Sequence, residues 1–318
     1  GIPNSDSRPH SMDIFLQQLI NGLTLGSIYA LVALGYTMVY GILGLINFAH
    51  GEVVMIGALS SLTFGRWLEN SGLPGPLVLL AALLLAALVC MTLGFTFERV
   101  AYLPLRNASR LAPLITAIGV SLVLQQLAML VWGRSYHSVP AWLPAGRHEF
   151  LGASFTDVQG VIVAVAALSM AGLMLLVNRT RMGRAMRATA ENPAIAGLMG
   201  VDTDRMVSLV FVIGSALAAL AGVLVSANYG IAHYHMGFIL GLKAFTAAVL
   251  GGIGNLAGAM VGGVLLGIIE ALGAGYIGDL TGGVFGSHYQ DVFAFFVLII
   301  VLVFRPSGLL GEKVAERT

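Results

Sequence analysis

Charge is what this sequence has least of. Charged residues make up 10% of its 318 positions and sum to +1, whereas a soluble globular chain carries roughly 25%. That is too few to coat a water-facing surface, so a soluble fold is excluded. Cysteine is nearly absent. The single Cys90 has no partner for an intrachain disulfide and lies in an apolar run, as a small residue facing a helix or lipid. No G-x-x-x-x-G-K-[ST] sequence occurs, so no P-loop holds a nucleotide. An H-E-x-x-H helix, a paired C-x-x-C and a G-x-S-x-G elbow are missing too, which removes the common hydrolytic and metal sites. His50 and Glu52 stand two apart, a poor spacing for two ligands on one helix. The basic residues flank apolar runs without interleaved aromatics, which argues against nucleic acid. Neither an enzymatic role nor a resident cofactor or metal is expected.

What the chain has in abundance is apolar length. Hydrophobic residues are 58% of it, and its mean hydropathy is +0.90. Runs of about 20 apolar residues recur, each enough to cross the hydrocarbon core as a helix. The expected fold is all-α, a polytopic transmembrane bundle of about eight or nine crossings with broken helices. Residues 1–11 read as a tag remnant before a start at Met12, 12–311 as the transmembrane domain and 312–318 as a tail. With no basic n-region and cleavage site, the first run reads as a retained span.

Polar residues inside the runs mark where function is expected. In the first run, Ile14 to Tyr40, Asn21 joins Gln17, Gln18 and Thr24 in a polar stripe, a candidate lining for a substrate path. Gly22 and Gly26 form a small-xxx-small pair that favours close helix packing. Asn47, His50 and Glu52 then cluster between Gly44 and Leu62. Ionisable groups at membrane depth usually face a bundle interior or a cavity. Two readings stay open there: a turn whose Glu52 caps a helix over 53–68, or a broken helix in a translocation path. The run 77–95 is almost pure Leu, Ala and Val and is expected to face lipid. Lys243 to Leu272 is too long for one straight span and hard to fit as two. A break at Gly251, Gly252 and Asn255, with freed backbone groups facing a cavity, makes those three path candidates. Lys243 and Glu270 near its ends read as interfacial anchors. Residues 273–290 read as a glycine-rich loop and 291–304 as the last span, stopped by Arg305-Pro306.

Arginines set the orientation. Arg99, Arg106 and Arg110 lie in 96–110, and Arg179, Arg181, Arg184, Arg187 and Arg205 in 179–205. An even number of spans separates these segments, so both face one side, which the positive-inside rule makes the cytoplasm. The 133–156 segment, with Tyr136 and Trp142, then faces outward, as does the N-terminus. Within 179–205, Asn192 suits an N-cap, Pro193 the first helical position and Gly200 the C′ position of a short helix.

Three stretches together resemble a known family. They are NGLTLGSIYALVALGYTMVYGILGLINFAHGEVVMIGA (Asn21 to Ala58), RTRMGRAMRATAENPAIAGLMGVDTDR and KAFTAAVLGGIGNLAGAMVGG. Over Met12 to about Gly311 the chain resembles the H-type permease subunit of bacterial branched-chain amino acid importers driven by ATP-binding cassettes. The resemblance implies a coupling loop over 179–205 whose helix docks in a groove of an ATPase subunit, with Arg187, Ala190, Glu191, Ala194, Ala196 and Gly200 as its candidate residues. It also implies the partners: a second homologous permease subunit, two ATPase subunits that bind ATP, a periplasmic substrate-binding protein and inner-membrane lipid. The implied substrates are leucine, isoleucine and valine. Urea or a short amide is the alternative within the family. From another class, an ion-coupled transporter or channel would use Lys243, Glu270 and His50 as a charge relay.

Overall fold

Around one long helix the rest of the chain is packed. In the computed structural model, which describes residues 11–105, 108–109, 111–144, 146–150, 152–280, 282 and 289–311, α1 runs over Ser11–Leu43, 33 residues. At 1.5 Å per residue it is about 50 Å long, more than the roughly 30 Å hydrocarbon core. Its middle, from Ile28 to Leu34, is fully enclosed. Arg106, Arg110, residues 1–10 and the tail 312–318 lie outside the described residues.

Small residues decide what packs on α1. Any side chain at Gly22 or Gly26 would collide with the backbone of α10 (Leu256–Leu280) at Ile268 and Val264, and Gly263 and Gly267 answer with Ala30 and Gly26. The pairing runs antiparallel. A second small face of α10, Gly258 and Gly262, meets Gly251 and Ala247 of α9 (Met236–Gly251). Where lipid is as apolar as leucine, such close approach is what favours one helix on another. The same logic seats α2 (His50–Glu69) on α8 (Thr203–Tyr229), with Gly57 against Ala219 and Gly222 against Val54.

The helix α3 (Gly75–Phe97) faces lipid on one side only. Val78, Ala82, Ala86, Cys90 and Gly94 form a buried stripe every four residues, while Leu80, Leu84 and Leu88 are exposed. The Cys90 thiol donates to the Val53 carbonyl at 3.4 Å. At its end, Glu98 turns inward and accepts from Ser208 Oγ at 2.7 Å. Helices α4 (Leu111–Trp132) and α5 (Asp157–Arg179) flank the bundle, and a Thr156/Gln159 capping box starts α5. Lys243 to Leu272 is not one broken span. It is two helices, α9 and α10, turned back on each other at 252–255, and α10 extends through 273–280, where a loop was expected. The last helix, α11 (Gln290–Phe304), packs on both.

Among the described residues, six helices are long and apolar enough to cross a membrane; α9 and α11 are shorter. At one end of the bundle, strand β1 (His137–Ser138) pairs with β4 (Ile231–Ala232), and β2 (Arg147–Phe150) with β3 (Ala153–Thr156). Trp142 fills a notch left by Gly65 and Gly75, and its Nε1 donates to Glu69 at 2.9 Å. Gln17 near the start of α1 accepts from Ser154 N at 2.8 Å, so the N-terminal end of α1 shares this side. Helices α6 (Arg181–Glu191) and α7 (Pro193–Leu198) lie at the opposite end, where α6 packs beside the end of α1.

Candidate functional site

Gly44, at φ +63°, ends α1 and lets the chain turn back into the bundle. Asn47 holds the turn: its Oδ1 accepts from Ala49 N at 3.1 Å and from the Tyr102 hydroxyl at 2.8 Å. Helix α2 therefore begins inside the protein. Its His50 ring lies against Gly35 and Gly214, which places it about 12 Å inside the Leu43 end of α1. The His50 ring also packs edge-on to Tyr36, and its Nε2 has no hydrogen-bond partner.

Glu52 does not cap α2. Its Oε1 accepts from Gln125 Nε2 at 2.7 Å and from Ser121 Oγ at 3.1 Å, both on α4. The physical reason is that α2 starts in the interior, where a neighbouring helix offers two side-chain donors to a carboxylate that is 1% exposed. Its place in the first turn still favours the α2 dipole. The second oxygen, Oε2, has no hydrogen-bond partner and faces α9. A Cβ added at Gly237 would stand 2.7 Å from it.

Helix α9 also begins at this depth. Gly237 and Gly241 pack on Gly51, and the N-cap position, His235, provides no side-chain cap. With 16 residues, α9 is about 24 Å long, short of the core's thickness. A cavity of about 460 Å³ opens between α4 and α9, lined by Ser121, Gln125, Gly237, Phe238 and Leu242 among others.

The break at 251–255 is built differently from the sequence expectation. Gly252 (φ +107°) and Gly254 (φ +94°) make the turn. The freed carbonyls do not open onto a cavity, because Leu309 N donates to Leu250 O and Leu310 N to Gly251 O, each at 2.9 Å. Asn255 accepts from Gly258 N at 3.0 Å at the start of α10 and donates to Leu310 O at 2.9 Å. Gly251, Gly252 and Asn255 thus sit under a strap formed by the chain after α11. Asn21 is far from both places, accepting from Gln17 and Gln159 between α1 and α5.

Lys243 and Glu270 are not anchors at two interfaces. Lys243 Nζ lies 2.7 Å from Glu270 Oε1 and 2.7 Å from Asp291 Oδ1, and the Tyr29 hydroxyl donates to Glu270 Oε2 at 2.9 Å. The antiparallel turn of α9 onto α10 brings them together. A span-by-span reading misses this; the signal was three ionisable residues in apolar stretches with nowhere polar to go. Lys243 and Tyr29 also line a second cavity of about 340 Å³. His50, on Tyr36, takes no part, so the three do not form a relay.

At the arginine-rich end, Thr180 caps α6 and Asn192 caps α7, with Pro193 first in the helix and Gly200 following at φ +85°. Arg187 donates to the Val177 carbonyl in the last turn of α5. Arg187 and Ala190 line a small cavity of about 100 Å³ with Gly41 and Gly254. Glu191 and Ala194 are exposed, and Ala196 is buried. The large apolar residues of this segment point out: Leu198 is 88% exposed and Met199 80%.

Helices that begin and end inside a bundle, meeting at polar side chains and cavities, define a membrane transport protein. The chain is in fact matched over residues 18–302 by the family described as branched-chain amino acid transport system / permease component. It belongs to that family. The high-affinity branched-chain amino acid transport system permease protein BraD of Pseudomonas aeruginosa is 48% identical, over 95% of this chain and 98% of its own. The corresponding permease protein LivH of Escherichia coli is 47% identical over 95% and 97%. A probable branched-chain amino acid transport permease, LivH of Methanocaldococcus jannaschii, is 29% identical over 94% of each.

Proposed function

We propose that this chain is the membrane-spanning permease subunit of an importer that carries leucine, isoleucine and valine across the bacterial inner membrane. It works with a second homologous permease subunit, two ATPase subunits that bind and hydrolyse ATP, and a periplasmic protein that captures substrate. The 179–205 segment is cytoplasmic, and α7 is its coupling helix. One observation carries this reading: α7 is capped as an independent helix, yet leaves Leu198 and Met199 almost wholly exposed. At a polar, arginine-rich end, such side chains suit a protein groove.

The route inward is short. Closure of the ATPase pair displaces α7 and, through the Asn192 junction, α6. Arg187 ties α6 to the end of α5, while Arg187 and Ala190 border Gly41 of α1 and Gly254 of the α9–α10 turn. A shift of α6 is thereby felt at both breaks, and through α9 at the two larger cavities that this helix lines. Those cavities are mainly apolar, which suits an aliphatic side chain. A photo-crosslinking residue at Leu198, in the importer purified with its ATPase subunits, is expected to capture an ATPase subunit. Capture of lipid or of nothing would contradict α7 docking.

A further inference from the structure

We propose that Tyr102 is a positioning residue for transport: its hydrogen bond to Asn47 carries movement of α8, which follows α7, to the interior turn from which α2 starts. This rests on the importer reading above, with α7 as coupling helix, and adds a second route inward beside the one through α6. Past Phe97 the chain of α3 widens into a single π-turn, Glu98–Tyr102. Such turns are rare in helices and are found frequently at functional sites. Both ends of this one face inward, Glu98 at 0% and Tyr102 at 3% exposure.

One end grips α8 and the other the turn before α2. Ser208 Oγ donates to Glu98 Oε2 at 2.7 Å, and Phe211, nearly a turn further along α8, meets the Tyr102 ring at a centroid distance of 5.2 Å. Helix α8 begins at Thr203, shortly after α7 ends at Leu198, so both contacts lie close behind the coupling helix. The Tyr102 hydroxyl donates to Asn47 Oδ1 at 2.8 Å. Beside Asn47, Phe48 lines the cavity between α4 and α9, and His50 N donates to Asn47 O at 3.0 Å as α2 begins. Chains of packed side chains and hydrogen bonds of this kind carry energetic coupling between distant sites. Two routes from the coupling segment thus converge on one turn: α6 at Gly41, and α7 at Asn47 by way of α8 and the π-turn. The turn does not need Tyr102 to satisfy its own cap, because Asn47 Oδ1 also accepts from Ala49 N at 3.1 Å.

The test is Tyr102→Phe in the complete importer, reconstituted with its ATPase subunits and binding protein. The ring keeps its contact with Phe211, and Asn47 keeps Ala49 as a donor, so assembly and melting temperature are expected to hold. Leucine taken up per ATP hydrolysed is expected to fall at least about threefold, the scale of one neutral hydrogen bond. A parental ratio overturns the proposal, even in a variant that melts lower, because a merely structural bond moves stability alone. Should the variant not assemble, the parent decides: hydrogen exchange over 44–49 is expected to change when ATP is added to the full complex, and unchanged exchange overturns the proposal. ATP-dependent leucine uptake by the parent, measured in parallel, reports on the importer reading alone.

Discussion

Lys243 Nζ stands 2.7 Å from Glu270 Oε1, deep between α9 and α10. Asp291 of α11 completes the pair at the same distance, and Tyr29 of α1 donates to Glu270. Four helices thus share one ionic knot, beside the close glycine and alanine contacts that pack α1, α9 and α10. An isolated charge in hydrocarbon is too costly to keep, so removing one partner harms more than removing two.

Lys243→Met is accordingly expected to destabilise the protein by about 3–5 kcal/mol, the range for orphaning a buried charge. The double variant Lys243→Met/Glu270→Gln should recover part of that loss. Thermal unfolding in detergent reads both, and a single variant that melts like the parent would contradict the knot.

Gly267→Leu should prevent α10 from docking on α1, because any side chain there collides with the backbone of Gly26. Overpacking of this kind costs about 1–3 kcal/mol, more where backbone must move. Gly197→Ala, which meets open space on α7, is the control and should leave the melting temperature unchanged. The yield of monodisperse protein in detergent separates the two.

Trp142→Ala should free the 137–143 segment from the end of the bundle. The ring fills the space over Gly65 and holds Glu69, and its loss is worth about 3–5 kcal/mol locally. Faster hydrogen exchange confined to this segment is the expected signature. Unchanged protection would show that the β1–β4 pairing alone secures it.

On α7, Leu198→Asp with Met199→Asp should reduce co-purification of the ATPase subunits at least about tenfold while thermal stability holds, since both side chains are exposed. Ala196→Glu is a different kind of change. Ala196 is buried against the rest of the chain, so the charge should lower both stability and co-purification. Equal behaviour of the two variants in a melting assay would count against this division of the helix.

Much of the architecture was legible because lipid imposes simple rules. Apolar length located most spans, and arginine placement grouped the loops into the two ends that the structure also separates. The caps of α7 followed from Asn192, Pro193 and Gly200 alone, since their backbone preferences are local. Long-range pairings were not legible. A helix cap was one of two readings open for Glu52, because its donors, Ser121 and Gln125, lie some seventy residues away on α4. The break at Gly251–Asn255 looked open because nothing nearby in sequence predicts that Leu309 and Leu310 return to pair with it. The α7 reading weighed its small residues, whereas burial of Ala196 and exposure of Leu198 depend on how α6 and α7 lean on α8.

The most direct test of the whole account is uptake of labelled leucine into proteoliposomes holding the permease pair and its ATPase subunits, with the binding protein supplied on the periplasm-facing side. Accumulation that requires ATP hydrolysis and the binding protein, and that is indifferent to ion gradients, is the predicted result. Leucine accumulation without the ATPase subunits, driven by a proton or sodium gradient, would contradict it.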